Sequence, residues 1–156
     1  MLKYIKNKII YNLRYTKFHY FYLKYKYPNY INDLNNEANF YKDILNKNDL
    51  VFDLGAHFGE KTEIFQRLVK KIICYEPNEN LCKRMISRFR NNKSVIIIQI
   101  VVSDSEGMVD FTFVEDNEAY STMLPKGLIY FTHLNKKKFN QKKIKSTTLN
   151  SEIKKF

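Results

Sequence analysis

Residues Val51 to Thr62 read VFDLGAHFGEKT. An apolar run broken by one acid, Asp53, meets two glycines four apart, Gly55 and Gly59, and the chain then takes up helical spacing. Glycine lets a backbone turn tightly and lets a ligand approach where a Cβ would stand in the way. The stretch therefore predicts a strand, a sharp turn and a helix whose free N–H groups point at whatever the turn holds.

Working outward, Leu50–Leu54 reads as a short buried strand, and Ile64, Phe65, Leu68 and Val69 give the helix its apolar positions. Lys71–Tyr75 is a second strand, closed by Glu76-Pro77, and Asn78 is placed to cap a third helix with an apolar face of Leu81, Met85, Ile86 and Phe89. Val95–Val102 is almost continuously apolar, as strands covered on both faces tend to be. This alternation predicts a doubly wound, mostly parallel α/β sheet of the Rossmann-like kind. After Ser103-Asp104 the period becomes two, with Val109, Phe111 and Phe113 against Asp110, Thr112 and Glu115, which predicts an antiparallel strand or hairpin after the turn at Glu106-Gly107. Residues 135–145 read as a polar, lysine-rich loop.

Upstream, a short helix is expected over Glu37–Leu45, with Phe40 and Ile44 on one face. Before it, Leu2, Ile5, Ile9 and Leu13 recur at helical spacing in a basic segment that turns aromatic from Phe18 until Pro28-Asn29 breaks it. Residues 1–35 are thus expected to form a basic, aromatic helical extension and residues 36–156 the α/β unit.

At 156 residues the chain is one domain at most, with 44% apolar and 28% charged residues, an ordinary globular balance. No stretch approaches the ~20 apolar residues of a membrane span, and the first residues lack the apolar core of a secretory signal. The two cysteines, Cys74 and Cys82, have no metal spacing, so a cytoplasmic setting is expected and no metal. Net charge is +11 and gathers at the ends: seven Lys or Arg and no acid in residues 1–32, and eight lysines against Glu152 alone after Leu134. Such ends suit phosphates or an anionic membrane surface, but the overall Lys, Asn, Ile and Tyr bias accounts for them without function.

A site for a nucleoside-containing cofactor wants a carboxylate at the end of the second strand, about 20 residues past the glycine turn, to accept from vicinal ribose hydroxyls. Glu76 stands there, 23 residues after Asp53. The order strand, turn, helix, strand, acid is more specific than the glycines alone. A nicotinamide site would favour G-x-G-x-x-G, whereas here the pattern is D-x-G-x-x-x-G. An acid before the first glycine is a poor neighbour for a pyrophosphate and a good one for the sulfonium and ammonium of S-adenosylmethionine.

The segments VFDLGAHFGEKT, IICYEPNENL, VVSDSEGMVDF and STTLNS, in this order from about Asp43 onward, resemble the FkbM family of S-adenosylmethionine-dependent methyltransferases. The resemblance implies a class I methyltransferase fold and O-methylation of a hydroxyl on a sugar, glycan or related metabolite. By the same resemblance Asp53, Gly55, Ala56, His57 and Gly59 form the cofactor loop, and Glu76, followed by Pro77, holds the ribose. Ser103 and Asp104 fall near the adenine ring, and Ser121-Thr122 matches a small polar pair of unassigned role. His57 stands where asparagine is more usual, and Asn150 where the family has aspartate. Structural roles compete at two positions: Asp53 as a cap of its turn, and Asp104 as a turn residue before Gly107. Cys74 and Cys82 read as core residues, and His19 and His133 have no evident partner.

The family continues past the T-L-D segment into a further core strand and an acidic K-I-D-x-E-G stretch, whereas this sequence reads STTLNSEIKKF to Phe156. The expectation is an incomplete sheet with an open edge, a terminal helix capped by Asn150 or Ser151 with nothing to pack on, and a partner chain that completes the sheet. No general base is identifiable. Two other readings remain open: a non-catalytic chain with a vestigial nucleoside site, and a basic nucleic-acid or membrane-surface binder. Nucleic acid is not the expected partner.

Overall fold

The computed structural model describes residues 22, 25–114, 121–123 and 139–156. The basic helix expected over residues 1–13, the aromatic segment up to residue 21, His19 and His133 lie outside the described residues. Helix α1, Tyr30–Lys42, starts earlier and ends earlier than the expected Glu37–Leu45. Phe40 and Ile44 stay 62% and 57% exposed, and Tyr41 instead supplies the contact inward, edge-on to Phe65 at 4.9 Å.

β1 (Leu50–Leu54), α2 (Glu60–Phe65), β2 (Lys71–Tyr75), α3 (Glu79–Phe89) and β3 (Val95–Ile98) follow in the expected order. The three strands form a parallel sheet, β1-β2-β3, with Leu50 opposite Lys71 and Ile72 opposite Val95. Alternate residues of each strand face opposite sides. On one side Ile72 and Cys74 pack with Met85 and Phe89 of α3, Val69 and Ala56. On the other, Ile73 and Tyr75 pack with Phe52, Ile96, Ile98 and Ile100. This is the α/β Rossmann-like arrangement read from the sequence.

Asn78 caps α3, its side-chain oxygen accepting from the N–H groups of Asn80 (2.9 Å) and Leu81 (3.4 Å). The buried face of α3 differs at one position. Cys82 is buried, its thiol donating to the Glu76 carbonyl at 2.9 Å, while Ile86 is 55% exposed. Residues four apart share a helix face, so Leu81, Met85 and Phe89 define the seam and Ile86 falls just off it.

The expected long third strand is divided. β3 ends at Ile98, and after Gln99 and Ile100 the chain re-forms as β4 (Val101–Ser103) in a second sheet. That sheet, β4-β6-β5, contains β5 (Gly107–Val114), the predicted period-two strand, and β6 (Phe139–Thr148). β6 overturns the expected loop at 135–145 over the residues described there. It pairs antiparallel with β5 from Phe139 opposite Val114 to Ser146 opposite Gly107, and parallel with β4 through Ser146–Thr148. Its lysines point to solvent while the ladder satisfies the backbone. Thr122 bridges to Thr112, and Ser121 Oγ accepts from the Val114 N–H at 3.2 Å.

The terminal helix α4, Leu149–Ile153, is capped by Thr148, whose hydroxyl accepts from the Ser151 N–H, rather than by Asn150 or Ser151. It is also packed, against expectation. Glu152 is 2% exposed and accepts from Tyr75 Oη at 2.9 Å, Thr147 Oγ1 at 2.8 Å and Lys155. Phe156 meets Phe52 edge-on at 6.4 Å, and Lys71 Nζ sits 4.7 Å over the Phe156 ring. Five residues would not hold a helix alone; the carboxylate buried against β2 anchors this one.

Candidate functional site

The turn between β1 and α2 is tied to the end of β2. The N–H groups of Gly55 and Ala56 both donate to the Tyr75 carbonyl, at 2.8 and 3.1 Å, and the Gly59 N–H closes back on Ala56 at 2.7 Å. Gly55, His57 and Gly59 have φ of 71°, 54° and 77°. A Cβ on Gly55 would meet nothing within 4 Å, whereas one on Gly59 would stand 2.6 Å from the Phe89 ring. The two glycines thus act differently: Gly55 leaves space open beside the turn, and Gly59 lets α3 close against it. Ala56 and Phe58 are buried beneath.

Glu76 is 5% exposed. One carboxylate oxygen accepts from the His57 N–H and the other from the Asn78 N–H, each at 2.8 Å. The side chain therefore straps the glycine turn to the turn that opens α3, leaving each oxygen with further acceptor capacity. Burial pushes its carboxyl above the usual range, opposed by these two N–H groups. Pro77 beside it is buried. Asp53, half-buried, accepts from Thr62 Oγ1 at 2.6 Å, so it holds the first turn of α2 to β1. Burial raises its carboxyl as well, opposed by Thr62.

Three residues missed in the sequence complete this scaffold. Thr62 links Asp53 to Cys74 Sγ, 3.3 Å from its hydroxyl. Arg88 of α3 donates to the carbonyls of Phe58 (2.8 Å) and Gly59 (3.3 Å) and pairs with Glu63 at 3.2 Å. Arg84 lies over the Phe58 ring at 5.7 Å. The available signal for Arg88 was a cation three residues past Met85, beside the buried seam of an otherwise amphipathic helix.

Ser103 is the half-buried last residue of β4, and Asp104 follows it in an exposed bend. Ser103 Oγ donates to the Ser105 carbonyl at 2.8 Å, and Asp104 accepts from Ser105 Oγ at 3.1 Å. A cleft of about 300 Å³ opens instead between the β2–α3 turn and the second sheet, lined by Pro77, Asn78, Gln99, Phe113, Asn140 and Lys142 among others. Burial pushes the thiols of Cys74 and Cys82 up to about 12, which favours the protonated form of both at neutral pH.

No family profile and no curated protein matches the chain. Solved structures do. An rRNA methylase from Streptococcus thermophilus is 18% identical over 41% of this chain and 37% of that one, with a TM-score of 0.38. A candidate methyltransferase from Streptococcus mutans in complex with SAH is 21% identical over 44% and 40%, with a TM-score of 0.40. Methyltransferase FkbM from Methylobacillus flagellatus KT is 12% identical over 42% and 20%, with a TM-score of 0.37. The match spans two fifths or less of each of these proteins. At such identities the likeness concerns the fold alone.

Proposed function

We propose that the chain carries the cofactor site of an S-adenosylmethionine-dependent methyltransferase of the FkbM type, acting in the cytoplasm on a hydroxyl of a sugar, glycan or related metabolite. The observation that supports it most is Glu76, a buried carboxylate at the carboxyl end of β2 bonded directly to the glycine turn after β1. Ligands of open α/β sheets bind at the carboxyl ends of the strands, and both features lie there. The residues fit such a cofactor: open space at Gly55, acceptor capacity on Glu76 for ribose hydroxyls, and Asp53 for a cationic amino acid part. The adenine would enter the cleft between Pro77 and Gln99, whose amide offers one donor face and one acceptor.

When bound, S-adenosylmethionine supplies an electrophilic methyl group. The chain's own part is positioning, which is where most of the rate of such a transfer arises. Thr62 and Arg88 keep Asp53 and the turn carbonyls in place, and Glu76 fixes the turn relative to α3. Calorimetric titration with S-adenosylhomocysteine, with NAD as control, tests the reading. Micromolar binding, absent for NAD and lost in Asp53→Asn and Glu76→Ala chains that remain folded, is expected. A folded wild-type chain that binds neither compound would sink it.

A further inference from the structure

A second cleft, of about 430 Å³, opens where Leu45, Lys47 and Asn48 precede β1, Gln66–Lys70 precede β2 and Ser94 precedes β3. In a parallel sheet these are the amino ends of the strands, so this cleft lies at the opposite end of the sheet from the glycine turn. Four cations line it: Lys42, Lys47, Arg67 and Lys70; no carboxylate does. Asn48 and Ser94 add neutral polar groups, and Leu45 and Leu68 are half-buried within it.

Of the acids close by, Glu63 neutralises one of these four cations. Glu63 divides its two oxygens between Arg67 and Arg88. Asp49 accepts from the Asn46 N–H at 2.8 Å. Lys42 gives one N–H to Asn39 and, as an ammonium, keeps two more. Among the described residues neither Lys47 nor Lys70 forms an ion pair. With Arg67 paired to Glu63, Lys42, Lys47 and Lys70 remain as cations on a concave surface whose lining holds no carboxylate, and confinement focuses their field on that space.

We infer that this cleft is a binding site for a phosphate group, separate from the proposed cofactor site and independent of it. Ammonium and guanidinium donors on a concave, partly apolar wall suit a phosphorylated small molecule, and the volume falls in the range of ligand pockets. Phosphate of a lipid headgroup has the same chemistry, and the exposed Phe40 near the end of α1 and Ile44 just after it would suit its acyl boundary.

The test uses the full chain with two probes, inorganic pyrophosphate followed by calorimetry and phosphatidylglycerol vesicles followed by sedimentation, with phosphatidylcholine vesicles as control. Saturable pyrophosphate binding, weakened at least tenfold by Lys47→Glu/Lys70→Glu, would assign a free phosphate ligand. Binding to phosphatidylglycerol alone, lost in the same variant and reduced by Phe40→Ser/Ile44→Ser, would assign a headgroup. Lys143→Glu/Lys145→Glu changes net charge equally on the second sheet and should leave either binding within twofold. All four lysines are exposed, and circular dichroism checks that each variant is folded; Lys47→Gln/Lys70→Gln gives the same comparison with neutral side chains. Absence of binding to both probes, or equal losses in the two charge-reversal variants, would overturn the inference.

Discussion

At the scale of single residues, the two glycines of the turn separate stability from binding. Gly55 and Gly59 both hold left-handed φ, yet only Gly59 is pressed against a neighbour. Forcing a non-glycine residue into that region costs about 1 kcal/mol or more. Gly59→Ala adds a collision with the Phe89 ring and should lower unfolding free energy by about 2–3 kcal/mol in urea titration. Gly55→Ala should cost only about 1 kcal/mol while weakening S-adenosylhomocysteine binding at least tenfold, because its Cβ enters the space left for the ligand. Equal stability losses in the two variants would contradict this division. The positions of Asp53, Gly55 and Glu76 were legible because strand ends and glycines announce themselves locally. Their bonds were not: that Glu76 reaches the His57 N–H, 19 residues back, depends on the register of β1 against β2.

At the scale of elements, β6 and α4 decide how the second sheet joins the first. Lysine at positions 142, 143 and 145 gives β6 poor strand propensity, and its period-two pattern is nearly empty of apolar residues. Only the partner strands β5 and β4 select the strand, and that pairing leaves no mark in the local sequence. Ser146 is the one β6 residue paired with both β4 and β5. Ser146→Pro should therefore dissolve the ladder of β5 and β6, seen as fast amide exchange there, while β1 to β3 keep their protection.

Glu152 makes the same junction sensitive to pH. Burial alone would raise its carboxyl; hydrogen bonds from Lys155, Thr147 and Tyr75 outweigh this and hold it below the usual range. Its stabilisation is therefore present above the ordinary glutamate value of about 4.3 and is lost as pH falls through the lower folded value. Asp53 and Glu76, raised by burial, act oppositely: stability falls as pH rises above about 4 through their folded values. Glu152→Gln should flatten the acid side of the stability profile measured by urea unfolding between about pH 5 and 3. An unchanged acid limb would show that the junction does not depend on the carboxylate. Tyr75→Phe removes one of three donors and should cost about 1 kcal/mol at neutral pH.

For the whole molecule, the parallel sheet β1-β2-β3 was readable because each strand is a short apolar run bounded by polar turns, and because Asn78 marks the start of α3 so clearly. The division of residues 95–102 between two sheets was not, since Gln99 is one polar residue in an otherwise continuous apolar run and nothing local distinguishes a bend from a buried polar side chain. That division has a functional consequence. It places Gln99 in the lining of the cleft beside Pro77, puts Ser103 at the end of β4 and Asp104 in the bend before β5. Among the described residues β1 has one strand neighbour, β2, and helices α2 and α3 cover one face of the sheet while α4 and β4 approach the other. Glycine turn, cleft and the Glu76 strap all meet at the carboxyl end of β2. The most direct measurement is therefore the amide NMR spectrum of the chain titrated with S-adenosylhomocysteine. Shifts concentrated at residues 55–59, 76–80 and 99, saturating together, are expected. Shifts elsewhere in the chain, or none at millimolar ligand, would contradict the assignment of the glycine turn and Glu76 as a cofactor site.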